Sequence, residues 1–129
     1  MKEKAFITIL KKALNKKGGW YYKIPDVGYV PDKQRFYPKR PFDIIYVIDG
    51  VPCAIEAKVL RQKSATTKLL QIHQIDALRE FRNAGGMSYV AFKLARGYSV
   101  IEFSDFISKK KWTIDELIEG NLIERIGER

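Results

Sequence analysis

The sequence predicts an α/β (α+β) fold, one central sheet flanked by helices, and three observations carry that reading. Two runs rich in branched apolar residues flank Asp49-Gly50, the strongest short signal for a tight β-hairpin. Two longer stretches, 3–16 and 67–84, carry apolar residues at helical spacing. Glycine pairs punctuate the chain so that the order reads helix, strand, strand, strand, helix, strand. A length of 129 residues with 46% hydrophobic content suits a single domain spanning 1–129 with one core.

The first helix, about Glu3 to Lys16, presents Phe6, Ile7, Leu10, Ala13 and Leu14 on one stripe with lysines around it. Glu3 precedes Ile7 by four and Leu10 by seven, in line with that stripe. Two readings of Glu3 stay open: an acid favouring the positive end of the helix dipole, or one contributed to a buried site. Gly18-Gly19 stops the helix, and Trp20 to Ile24 reads as a strand pairing with the hairpin.

Residues 25–41 form a long loop carrying four prolines, with Tyr29, Phe36 and Tyr37 interleaved among Lys33, Arg35, Lys39 and Arg40. Basic residues beside aromatic ones can meet phosphates while rings stack on unpaired bases. A solvated loop whose aromatics cover the sheet edge would have the same composition.

The hairpin spans Phe42 to Lys58. A symmetric two-residue turn pairs Ile48 with Val51, and counting outward puts Asp43 opposite Glu56, with Cβ atoms roughly 5 Å apart. Like charges so placed repel, and Lys58 on the same face or a divalent cation between the acids would offset them. The remaining residues on both faces are nearly all apolar. A hairpin buried on both sides with two acids and a lysine at one rim reads as a site on a rigid scaffold.

Beyond it, Arg61, Lys63, Ser64 and Lys68 form a short basic, hydroxyl-bearing connection suited to phosphate oxygens near the acids. Thr67 to Ala84 reads as the second long helix, closed by Gly85-Gly86. Its inward stripe is Leu70, Gln74, Leu78 and Phe81, so the Gln74 amide must find partners there. His73, the one histidine, has no second histidine with which to bind metal. Met87 to Leu94 and Tyr98 to Phe103 read as the fourth and fifth strands. Thr113-x-x-Glu116 is a capping box opening a short helix at about 113–119, where Trp112, Leu117, Ile118, Leu122 and Ile123 either close the core or form a dimer surface.

A net charge of +9 favours a polyanionic partner, which DNA, RNA or an anionic membrane would each satisfy. No apolar run approaches the ~20 residues of a membrane span, and the lysine-rich start lacks the apolar stretch of a signal peptide. The expected place is the cytoplasm, or a host's cytoplasm for a phage-encoded chain. The lone Cys53 leaves no intrachain disulfide and no cysteine-based zinc site.

Pro41-Phe42-Asp43, followed after the hairpin by Glu56-Ala57-Lys58, resembles the PD-(D/E)xK nuclease signature, and the Holliday-junction resolvase branch is the nearest resemblance. Phe42 separates Pro41 from the motif acid, a departure from the pattern. The resemblance implies a restriction-endonuclease-like αβββαβ core with a mixed central sheet. It further implies a metal-dependent endodeoxyribonuclease using Mg²⁺, with Mn²⁺ able to substitute, acting on branched DNA such as a four-way junction as a homodimer.

Onto this sequence the resemblance carries Asp43, Glu56, Lys58 and Gln74 as catalytic residues. The metal set is Asp43, Glu56, the Ala57 carbonyl and a first-helix glutamate, Glu3. Hard cations take oxygen ligands, and an ordinary lysine is protonated at neutral pH, so electrostatic stabilisation is the expected role of Lys58. Expected nucleic-acid contacts are Arg35, Lys39, Arg40, Arg61, Lys63, Ser64 and Lys68. Rival readings are a restriction, replication-fork or repair endonuclease on the same fold, a non-catalytic DNA-binding module, and an RNA-processing nuclease.

Overall fold

The hairpin turn sets the register of the sheet. In the computed structural model, which describes residues 1–25, 29–30, 35–36 and 40–129, Asp49 and Gly50 both take positive φ, 49° and 76°. Both central residues of a type I′ turn need that hand, and it matches the twist of the flanking strands. The turn joins β4 (Ile44–Ile48) to β5 (Val51–Val59), with Ile48 opposite Val51 and Ile44 opposite Ile55.

Around this pair stands a five-stranded sheet. Its edge is β1 (Trp20–Lys23), antiparallel to β4, with Tyr22 opposite Ile45. On the other side of β5 lie β7 (Met87–Lys93), parallel to it, and then β8 (Tyr98–Glu102), antiparallel. The order β1-β4-β5-β7-β8 is a mixed sheet. Parallel neighbours need a crossover, supplied here by α2 (Ile72–Asn83). Two short strands, β2 (Tyr29–Val30) and β3 (Arg35–Phe36), pair with each other, and the rest of the predicted 25–41 loop before Arg40, apart from Pro25, lies outside the described residues.

Alternation along the strands sends side chains into two apolar layers. Helix α1 (Glu3–Lys17) lays Phe6, Ile7, Leu10 and Leu14 on Ile44, Tyr46, Cys53, Ile55 and Ala57. The opposite layer gathers Ala54, Val90, Phe92 and Ile101 with Leu78 of α2 and with Phe103 and Phe106 of α3 (Phe103–Phe106). Since Cys53 to Ala57 are all buried, any polar group among them must be satisfied inside the protein. Gly19 follows α1 where the backbone runs against β4, so closely that a Cβ would collide with the Val47 carbonyl.

Three local expectations need correction. The helix predicted over Thr67–Ala84 is divided: a 3₁₀ turn, Thr67–Leu69, comes first, Leu70 is extended at φ −95° and ψ 135°, and α2 begins at Ile72. Extended backbone at Leu70 breaks the helical repeat while keeping its side chain buried. The connection holding Arg61 to Lys68 is not merely a turn, because Ser64–Thr66 forms β6, paired with β9 (Lys111–Thr113). The fifth strand ends at Glu102, where α3 starts. The final helix, α4 (Ile114–Glu119), carries the reciprocal Thr113 and Glu116 capping bonds, at 3.2 and 2.9 Å. Trp112 donates from Nε1 to the Phe106 carbonyl at 2.9 Å and stacks on its ring, closing this end of the core.

Candidate active site

Two fully buried acids meet where β4 begins. The paired register ends at Ile44 and Ile55; Asp43 precedes the first and Glu56 follows the second, and they are 0% and 1% exposed. The Asp43 N–H donates to the Ile55 carbonyl at 3.1 Å, and the Ala57 N–H donates to Asp43 Oδ2 at 2.7 Å. Asp43 thereby extends the ladder with its side chain where the β4 backbone has turned away. Phe42 is buried and meets Phe81 of α2 edge to face, anchoring the chain just before the acid.

Glu56 Oε2 is held from the helix side. Gln74, in the first turn of α2, donates from Nε2 to it at 2.9 Å, and Lys58 Nζ stands 3.3 Å from the same oxygen. The Gln71 N–H donates to Gln74 Oε1 at 3.0 Å and Lys58 donates to it at 3.4 Å, so the amide can turn only its NH₂ towards Glu56. The buried amide on an apolar stripe is therefore satisfied by the acid it supports.

Each acid thus spends one oxygen on the scaffold and keeps one in reserve. Asp43 Oδ1 and Glu56 Oε1 are buried without a hydrogen-bond donor among the described residues. The Asp43 and Glu56 carboxyls are near enough to share a proton, and burial first, then the Asp43 charge, raise the Glu56 pKa well above the carboxylate range, against the pull of Lys58. Two carboxyls in contact need either a proton or a cation between them. The carbonyl of Ala57 adds a third oxygen: ladder parity points it, like its N–H, to the side on which β4 ends. This all-oxygen set fits a hard divalent cation such as Mg²⁺.

Glu3 does not join the acids directly. No group of three or more His, Cys, Asp or Glu side chains that could hold a metal ion forms among the described residues. Glu3 lies 3.6 Å from Arg40 Nη2, and the same nitrogen lies 2.9 Å from Asp43 Oδ1.

Among the expected phosphate contacts, Arg61, Lys63 and Lys68 are exposed, and Ser64 is half-buried in β6. Arg61 and Lys63 line a cleft of about 480 Å³ with Met1 and Lys93 beyond the end of β5. Lys39 and the Arg35 side chain lie outside the described residues. Sequence reasoning missed a second basic cleft, about 580 Å³, where Lys4, Lys11 and Lys23 join Arg40 and Glu3. Its signal was present: Lys4 and Lys11 stand two helical turns apart on one face of α1. Burial, then the nearby Arg40 charge, lowers the Lys23 pKa, as crowding of like charges requires. Among the described residues no helix is long and apolar enough to cross a membrane.

Among solved structures the chain is similar to the 1.6 Å structure of Hjc from Archaeoglobus fulgidus, described as a Holliday junction resolvase from an archaeal hyperthermophile. The TM-score is 0.67 at 23% identity, over 94% of this chain and 97% of that one. The mixed five-stranded sheet flanked by helices therefore matches the restriction-endonuclease-like fold of Hjc. No family model and no curated protein matches the sequence.

Proposed function

We propose that this protein is a Mg²⁺-dependent, structure-selective DNA endonuclease, a Holliday-junction resolvase that cuts four-way junctions symmetrically as a homodimer. The observation that carries the reading is the pair of buried oxygens, Asp43 Oδ1 and Glu56 Oε1, which accept no hydrogen bond among the described residues and have Arg40 and Lys58 as their nearby charges. Two buried acids side by side, one of them with an oxygen that accepts no hydrogen bond, Glu56 Oε1, are costly to stability, roughly 1–3 kcal/mol for such an acceptor, unless they serve a ligand.

In this reading Asp43, Glu56 and the Ala57 carbonyl hold the ion, with Glu3 joining from α1 once substrate is in place. When bound, the ion would activate water and neutralise charge developing on the scissile phosphate. Lys58 sets its ammonium beside Glu56, where it can hold the attacking water or a phosphate oxygen. Gln74 fixes the rotation of the Glu56 carboxylate and so the direction of its reserved oxygen. Arg61, Lys63, Ser64 and Lys68, together with Arg40, take the flanking phosphates, and the loop residues Arg35 and Lys39 are assigned the same task. A four-way junction presents two equivalent phosphodiesters, so two copies related by a two-fold axis supply the two sites.

The test is incubation of the protein with junction, flap, linear duplex and single-stranded DNA, with and without Mg²⁺. Paired cuts in the junction that need Mg²⁺ are expected, alongside a dimer in sedimentation. Equal cutting of linear duplex would favour another endonuclease on this fold. Binding without cleavage under all conditions would favour a DNA-binding module whose acids form an ion cluster.

A further inference from the structure

Arg40 occupies an unusual position. One guanidinium nitrogen, Nη2, lies between carboxylates from two different elements, 2.9 Å from Asp43 Oδ1 and 3.6 Å from Glu3 Oε1. Asp43 Oδ1 is one of the two reserved oxygens, and the Arg40 contact is a charge contact without a hydrogen bond's alignment. Glu3 and Asp43 are also two of the acids assigned above to the ion. The positive charge of Arg40 therefore sits among the groups a divalent cation would need.

The Arg40 side chain also reaches the surface. Asp43 is completely buried, whereas the Arg40 side chain is 20% exposed and lines the 580 Å³ cleft shared with Lys4, Lys11 and Lys23. The guanidinium therefore borders both the acids and this cleft. Among the described residues no hydrogen bond holds Asp43 Oδ1, whereas Oδ2 accepts from the Ala57 N–H.

We propose that Arg40 is an internal competitor for the metal: it neutralises Asp43 and Glu3 in the metal-free protein and must be displaced into the basic cleft when a divalent cation binds. The proposal rests on the metal-site reading above. It gives Arg40 two positions, on the acids without the ion and in the cleft with it. By linkage, whatever draws Arg40 into the cleft raises metal affinity, and the ion frees Arg40 for an anion there.

The experiment is calorimetric titration of Mn²⁺ into the full chain without DNA, which reads binding independently of cleavage. Arg40→Met and Arg40→Gln should each bind Mn²⁺ about fivefold more tightly than the parent, since a competing ion contact has been removed. A general loss of structure would weaken binding, the opposite sign. Lys11→Met, which removes a charge from the same cleft without a contact to either acid, should leave affinity unchanged. Unchanged or weaker binding in both Arg40 variants, or equal tightening in Lys11→Met, overturns the proposal while the metal site itself stands. If the parent binds no Mn²⁺, or Asp43→Asn binds it as well as the parent, the metal-site reading fails and the proposal with it.

Discussion

Gln74 Nε2 donates to Glu56 Oε2 at 2.9 Å, and the Gln71 N–H donates to Gln74 Oε1 at 3.0 Å, so the start of α2 aims one acid of the β5 rim. Helix and strand are thereby locked through a single amide. Each half of the amide has work that the other cannot do.

Replacing Gln74 by leucine should accordingly harm both fold and site. The Gln71 N–H and Glu56 Oε2 each lose a partner, at a cost of about 1–3 kcal/mol in denaturant unfolding. Gln74→Glu adds a third carboxyl beside Glu56 and should destabilise the metal-free protein further at pH 8 than at pH 5. Equal stability of Gln74→Leu and the parent would mean the amide is not coupling the elements.

Glu56 makes the metal-free protein sensitive to pH. Its folded pKa is raised above the ordinary value of 4.5, to about 8. The carboxyl is then favoured in its protonated form on folding, so its stabilising contribution is complete below pH 4.5 and is lost as pH rises towards 8. Melting in EDTA should fall over that window in the parent and stay flatter in Glu56→Gln. Adding Mg²⁺ at pH 8 should restore the parent alone. Parallel pH profiles for the two proteins would contradict the raised pKa.

Lys58 stands beside the acids without being one of the oxygens that would hold an ion. Lys58→Met should lower the cleavage rate by about 10²-fold or more, the scale of losing one electrostatic stabiliser, while Mn²⁺ affinity falls little or rises. Single-turnover kinetics with calorimetry checks this. A loss of Mn²⁺ binding would instead make Lys58 a support of the site.

Gly50 takes φ 76°, a region costly for a residue with a Cβ, and nothing lies within 4 Å of one placed there. Gly50→Ala should therefore cost about 1–2 kcal/mol of stability through backbone strain alone. Asp49→Gly should be tolerated better. Urea midpoints for both variants measure the difference.

What could be read from the sequence was what local chemistry dictates. Asp49-Gly50 between two apolar runs sets the turn and, by counting, the pairing of Ile48 with Val51 out to Ile44 with Ile55. Gln74 announced itself as an amide on an apolar stripe, and its partner proved to be Glu56. What stayed hidden depends on contacts distant in sequence. Ser64–Thr66 and Lys111–Thr113 are three-residue strands with no periodicity, and each is extended because of the other. The start of α2 was misplaced because Gln71 is not one of the preferred capping residues, so the buried Leu70 looked like part of the helical stripe. The composition around Arg40 suggests a phosphate contact, and nothing near it in sequence points to Glu3 as its neighbour.

The pairing of Ser64–Thr66 with Lys111–Thr113 has a consequence for synthesis. The segment carrying Arg61, Lys63 and Lys68 leaves the ribosome long before the strand that braces it, whereas the turn at Asp49-Gly50 needs only its immediate neighbours. A nascent chain would thus bring its two acids together early and gain the firm seating of its basic arm only near the end of translation. A chain cut short before Lys111 would keep the acids yet lack the strand that pairs with Ser64–Thr66.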